Sequence, residues 1–186
     1  MKNSGKNKII LISSLPDSLV QFRGNLIKSF INLNFEVHTL APNLTKSQYF
    51  YQKIKSYGAE GHDIPLKSSS ISPINDIFLI IRLIVLFVRI KPDIVLTYNI
   101  KPVIFGTLVA KLFRIKNICA IITGLGFYFI NKQNESLKKI FVKKIIISLY
   151  KISFMILDKV FFQNRDDLDL CKKNKNIDQK KIILIN

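Results

Sequence analysis

Cysteine and histidine occur only twice each in these 186 residues, and the 12 acidic side chains are outnumbered by 29 lysines and arginines. Each scarcity narrows the field. Cys119 lies in an apolar run and Cys171 on a polar helical stretch, with no Cys-x-x-Cys and no histidine cluster beside either. This excludes a disulfide framework or a cysteine-based zinc module and reads as reduced thiols in a cytoplasmic setting. A long amino-terminal apolar run is also missing. "MKNSGKNKIILISSLPDS" has a basic start, but its apolar core is only "IILI", too short for a signal peptide and suited to a first strand. No Gly-x-Gly-x-x-Gly follows that strand, which argues against an NAD-dependent oxidoreductase.

The shortage of acids leaves a formal charge of +17. Such a balance favours an anionic partner: a membrane surface, a phosphate-bearing substrate or nucleic acid. An AT-rich coding sequence, which enriches Lys, Ile and Asn together, would produce the same excess without selection. Nucleic acid fits poorly, because the lysines are scattered and the aromatics fall in apolar runs instead of forming a stacking platform. With 48% hydrophobic residues the chain is no disordered tail, and its length suits one ordinary domain.

Apolar runs of strand length recur at 8–13, 35–41, 93–98, 117–123, 159–163 and 181–185, with a weak edge strand near 59–66. Between them, apolar spacing and caps predict helices over 18–33, 45–57 (ended by Gly58), 73–91, 102–114 (Pro102 at its first position) and 137–157 (capped by Ser136). Strict alternation of strand and helix implies an α/β fold, a Rossmann-like parallel sheet with helices on both faces. Two helices invite comparison with membrane segments. The run at 74–90 contains Arg82 and Arg89, and its uninterrupted apolar stretches fall well short of the roughly 20 residues a span needs. The run at 137–157 carries Lys138, Lys139, Lys143, Lys144 and Lys151 and no acid, a pattern suited either to a bilayer interface or to a helix packed on the sheet with its lysines in water.

In an open parallel sheet, ligands bind outside the carboxyl ends of the strands. Four exits there are unusual. After the first strand, Ser13, Ser14, Asp17 and Ser18 precede or open a helix that carries Arg23, offering hydroxyls, N–H groups and a cation to an anion. After the fourth come Tyr98, Asn99 and Lys101; after the fifth, "TGLGFYF" with Thr123, Gly124, Gly126, Phe127 and Tyr128; after the sixth, "QNRDD" (163–167) with Asn164. Each has a plain structural alternative: a helix cap at Asp17 or Ser18, a turn at Asn99, a tight turn covered by core aromatics at 123–129, and a capping box from Asn164 to Asp167. His38 falls in a buried strand and His62 in a loop, neither with an evident partner, and neither is assigned a role.

The succession "SSLPDSLVQFRGNLIKSFINLNFEVHTLAP", "KPDIVLTYNIKPVIFGTLVAKL", "ITGLGFYF", "VFFQNRDD" resembles the amino-terminal domain of family 4 glycosyltransferases of GT-B fold, in particular bacterial enzymes that extend undecaprenyl-diphosphate-linked sugars. The resemblance spans residues 1–186. It implies one half of a GT-B fold: an acceptor-side domain, with the nucleotide-sugar donor bound mainly by a second domain absent from this sequence. It further implies sugar transfer to a polyprenyl-diphosphate-linked acceptor in surface polysaccharide or glycan synthesis, at the inner face of the cell membrane. The thirteen residues from Ser14 to Asn164 singled out above, Ser13 apart, become candidate substrate contacts. Neither a Glu-x7-Glu motif nor a donor-site Arg/Lys pair can be placed, and Thr123 and Gly124 stand where many relatives carry a histidine. No catalytic residue, cofactor or metal is therefore assigned, and the chain alone is expected to be inactive. The alternative is a noncatalytic membrane-docking subunit of a split glycosyltransferase.

Overall fold

The computed structural model describes residues 5–67, 72–124, 137–173 and 178–185. Seven parallel strands form one sheet among them: β1 (Lys8–Ile12), β2 (Glu36–Ala41), β3 (Glu60–Asp63), β4 (Ile94–Tyr98), β5 (Asn117–Ile122), β6 (Lys159–Phe162) and β7 (Ile182–Leu184), in the spatial order β3-β2-β1-β4-β5-β6-β7. The helices are α1 (Pro16–Asn32), α2 (Gln48–Ser56), α3 (Pro73–Ile90), α4 (Ile100–Leu112), α5 (Leu137–Ile156) and α6 (Arg165–Lys173).

Because successive side chains of a strand point to opposite faces, the apolar run of β1 serves two cores at once. Ile10 and Ile12 join the core under α3, α4, α5 and α6, whereas Ile9 and Leu11 join the one under α1 and α2. Central strands must be apolar on both sides, so they read as continuous runs. Every strand and helix expected from the sequence is present, including the edge strand β3, and Gly58 ends α2 at φ 86°.

The differences lie at helix starts. α1 begins at Pro16, whose fixed φ and missing N–H suit the first position. α4 begins at Ile100, placing Pro102 third, where the N–H has no intrahelical acceptor to lose. α2 starts only at Gln48, capped by Ser47 Oγ accepting from Phe50 N at 3.5 Å, because Thr45 is held elsewhere: its N–H donates to Asp63 Oδ1 at 2.8 Å and its hydroxyl to Asp63 Oδ2. The cap expected at Ser136 lies outside the described residues.

Two carboxylates lock the amino edge of the sheet. Asp93, just before β4, accepts from Lys8 N at 2.8 Å and donates its own N–H to Lys8 O at 2.9 Å. Asp158, just before β6, does the same with Ile118, at 2.8 Å in both directions. At the other end α4 rides close on the sheet: a Cβ on Gly106 would fall 2.8 Å from Thr97 Cγ2 and 3.0 Å from Ile12 Cδ1, so only glycine permits this approach.

Candidate functional site

The strand order reverses at β1, which has β2 on one side and β4 on the other. A crevice opens at such a switch point, outside the carboxyl ends of the two strands. The chain sets Ser13 and Ser14 after β1 and Asn99 after β4, so both loops border it. Ser14 N donates to Asn99 Oδ1 at 3.4 Å, and Asn99 Nδ2 donates to Thr123 Oγ1 after β5, also at 3.4 Å. One asparagine therefore ties three exits together.

Asn99 does so from a backbone conformation, φ 69° and ψ 155°, that is nearly reserved for glycine and costs on the order of 1–3 kcal/mol. Strain of this kind persists only where the surroundings impose it. Asn99→Gly should relieve it, whereas Asn99→Ala should keep it and lose both amide links, leaving the alanine variant about 1–2 kcal/mol less stable than the glycine one. Denaturant midpoints measure the difference; equal midpoints would mean that the backbone relaxes and the strain is not imposed.

Beside this link the start of α1 faces the same rim. Ser13 Oγ donates to Leu15 O at 2.8 Å and accepts from Leu15 N at 3.1 Å, ordering the loop. No side chain caps the helix at Leu15. Asp17 and Ser18 do not take the expected cap position: they lie within the first turn, where Asp17 Oδ1 accepts from Gln21 Nε2 at 2.7 Å.

Arg23 projects from the buried face of α1, two turns along, and is 8% exposed. Its guanidinium carbon stands 5.1 Å from the centre of the Tyr98 ring, Nη2 donates to Gln163 Oε1 at 3.4 Å, Nη1 donates to Phe22 O at 3.3 Å, and Nε has no partner among the described residues. No carboxylate pairs with it among the described residues. Burial pulls its pKa down and the Tyr98 ring opposes the shift, but a guanidinium stays charged. Tyr98 itself is fully buried; burial holds its phenol well above the usual range, against the neighbouring Ser13 and Ser18 hydroxyls and Arg23, so it remains neutral. Its hydroxyl makes no hydrogen bond of full geometry. Behind the switch point a nearly buried cation thus stands on an aromatic ring, with the Arg23 Nε donor unused among the described residues.

The model of the family described as glycosyl transferase 4-like matches residues 8–164. The chain belongs to this family. Over 178 residues it is 25% identical to the N,N'-diacetylbacillosaminyl-diphospho-undecaprenol alpha-1,3-N-acetylgalactosaminyltransferase of Campylobacter jejuni, covering 96% of this chain and 45% of that protein. A glycosyltransferase from Rickettsia africae superposes with a TM-score of 0.62 at 17% identity, over 97% of this chain and 43% of the other. UDP-GlcNAc 2-epimerase from Neisseria meningitidis, solved with UDP-GlcNAc bound, superposes with a TM-score of 0.64 at 15% identity, over 95% and 45%. The chain thus spans less than half the length of each of these proteins, and its fold is one half of the GT-B arrangement.

Within this glycosyl transferase 4-like half, the remaining candidates divide. Lys101 turns away from the crevice, its Nζ 2.7 Å from Asp76 Oδ1 of α3. Asn164 caps α6 as its sequence suggests: Oδ1 accepts from Asp167 N and Nδ2 donates to Asp167 Oδ2, each at 2.7 Å. Thr123 and Gly124 are exposed at the rim, and Gly126, Phe127 and Tyr128 lie outside the described residues. Cys119 and Cys171 are unbridged, and burial raises both thiols, Cys171 to about 12 with Asp167 adding to the effect.

Sequence reasoning placed Gln163 in the sixth exit without giving it a contact, and it misjudged the histidines. His38 and His62 face each other, with His38 Nδ1 3.0 Å from His62 Nε2. The expectation that neither has a partner fails because β2 and β3 pair in parallel, His38 opposite Glu60 and Leu40 opposite His62. A signal was present: "EVH" at 36–38 and "EGH" at 60–62 repeat one period-two pattern, which puts all four polar side chains on one sheet face.

Proposed function

We propose that the chain is the acceptor-side half of a glycosyltransferase that moves a sugar from a nucleotide-diphosphate donor to a polyprenyl-diphosphate-linked acceptor, working against the anionic inner face of a cell membrane. The observation that carries this reading is Arg23: a guanidinium with no carboxylate partner among the described residues, held at the switch point beside an uncapped helix start, is a place for phosphate oxygens. The named activity of the Campylobacter relative, on a diphospho-undecaprenol substrate, supports the acceptor class. In the reaction the acceptor hydroxyl bonds to the anomeric carbon as the bond from that carbon to the diphosphate oxygen breaks, and the hydroxyl proton passes to a base. The donor is bound chiefly by a second domain, and the cations and N–H groups nearest the departing diphosphate come mainly from there.

The lipid part has its own surface. α3, α4 and α5 enclose a cavity of about 310 Å³ lined almost wholly by apolar side chains, Ile77, Ile80, Ile104, Phe105 and Leu149 among them, with the Lys101–Asp76 pair on its wall. Lys101 belongs to the first turn of α4, so the cavity lies next to the carboxyl rim. Beside it α3 leaves Ile74, Phe78, Ile81, Val85 and Val88 at least half exposed, flanked by exposed Arg82 and Arg89, and α5 adds Phe141, Met155 and Lys144. Apolar stripes edged by cations suit an anionic bilayer interface. Among the described residues no helix is long and apolar enough to cross a membrane.

Vesicle flotation tests the reading. The chain should float with vesicles rich in anionic phospholipid, and more strongly when they contain a polyprenyl-diphosphate-linked sugar; Ile81→Glu should abolish both. Failure to float removes the membrane surface from the proposal. Flotation indifferent to the sugar-diphosphate lipid removes the acceptor.

A further inference from the structure

We propose that His38, His62 and Glu60 bind a single divalent transition-metal ion, zinc by the chemistry of the donor set, on the α3 side of the β2–β3 edge. The three donor atoms lie within 4.8 Å of one another. His38 Nδ1 is 3.0 Å from His62 Nε2 and 3.5 Å from Glu60 Oε2, and His62 Nε2 is 3.8 Å from Glu60 Oε1. A tetrahedral zinc with bonds of about 2.0–2.1 Å needs adjacent donors roughly 3.3–3.4 Å apart; the two imidazole nitrogens, 3.0 Å apart, need to open by a few tenths of an ångström, and rotation of the exposed Glu60 carboxylate brings one of its oxygens, now within 4.8 Å of both, into the same range.

The outer partners are also in place. Glu36 Oε1 lies 2.9 Å from His38 Nε2 and accepts its proton, which leaves the Nδ1 lone pair directed at the site. Carboxylate-to-imidazole pairs of this kind orient histidine ligands of zinc. Both imidazoles are buried, at 4% and 9% exposure, whereas the Glu60 side chain is 57% exposed, giving an ion a path in and water a place as fourth ligand. Burial keeps the His62 imidazole below its usual proton affinity; His38, Arg89 and Arg82 add to the effect and Glu60 opposes it. The nearby arginines repel a cation, and the two carboxylates, Glu36 and Glu60, offset them. The site lies on β2 and β3, at the edge of the sheet beyond β1 and its switch point, so its effect is to clip the short edge strand β3 to β2.

Calorimetric titration of the metal-stripped chain with Zn²⁺ tests this. One equivalent should bind. Glu60→Gln and His62→Asn should each weaken affinity at least 100-fold, Glu36→Gln about 10- to 100-fold, and a Cys119→Ser/Cys171→Ser variant should bind as the parent does. Co²⁺ in place of Zn²⁺ should give the intense visible bands of a tetrahedral ion, and Zn²⁺ should raise the melting temperature of the parent but not of Glu60→Gln. Absence of one-equivalent binding, or binding lost with the cysteines, would overturn the proposal. Retention of affinity in Glu60→Gln would do so too, and that exposed substitution decides the matter should His62→Asn fail to fold.

Discussion

Arg23→Ala is expected to remove the sugar-diphosphate-dependent part of vesicle binding, weakening it about 10- to 100-fold, while attachment to anionic vesicles alone stays intact. The magnitude follows from hydrogen bonds to a charged group, each worth about 1.5–3 kcal/mol when its partner is not already satisfied. That condition holds among the described residues: Nε has no partner there, and the two Nη contacts, at 3.3 and 3.4 Å, are long bonds to neutral acceptors. Arg23→Lys should recover only part of the loss, because an ammonium keeps the charge without the planar fork. Flotation with and without the diphosphate lipid measures both variants, and denaturation of each checks that the Tyr98 wall survives. An alanine variant that binds the diphosphate lipid as the parent does would make Arg23 a packing residue and leave the crevice without its anion site.

On α3, two phenylalanines nine residues apart should behave in opposite ways. Phe87 is 1% exposed and packs in the core beneath α3, its ring 5.8 Å from that of Phe113; Phe78 is 57% exposed. Phe87→Ala should cost about 3–5 kcal/mol through lost transfer energy and the cavity left behind, while Phe78→Ala should change stability by no more than about 0.5 kcal/mol. Urea denaturation reads both. Vesicle binding should reverse the ranking, with Phe78→Ala the more damaging to flotation. Comparable losses of stability would place Phe78 in a packed interface and take it off the membrane surface.

That contrast shows where the sequence was legible. Strand and helix positions followed from runs and spacing, because a parallel sheet buried on both faces forces apolar continuity and its crossover helices force alternation. α3 did not reveal its two sides: Phe78 and Phe87 sit in one run, "PINDIFLIIRLIVLFVRI", whose apolar residues surround the helix, so periodicity could not say which ones the sheet would take. Among the site residues, the exits of β1, β4 and β5 were predictable from topology, and Asn99 does join them. Lys101 was not, because its partner Asp76 comes from a helix 25 residues earlier, and only the packing of α3 on α4 brings them together. The histidines failed for the same reason in a different form. Their meeting depends on the β2–β3 register, and register is invisible until both strands are placed.

The Asp93 and Asp158 locks carry a consequence for how this half can change. Each fixes a neighbouring strand at its entrance, from the side of the sheet opposite the crevice. In a sheet, a slip of one residue would turn core side chains toward the wrong face. With the β1–β4 and β5–β6 pairs aligned at one margin, the loops at the opposite margin carry less of that duty, so outside the Asn99 link they can be lengthened, shortened or exchanged without disturbing which side chains of those strands meet in either core. If the carboxyl rim holds the acceptor as proposed above, its preference can be retuned by loop exchange there, on a scaffold whose alignment is kept elsewhere.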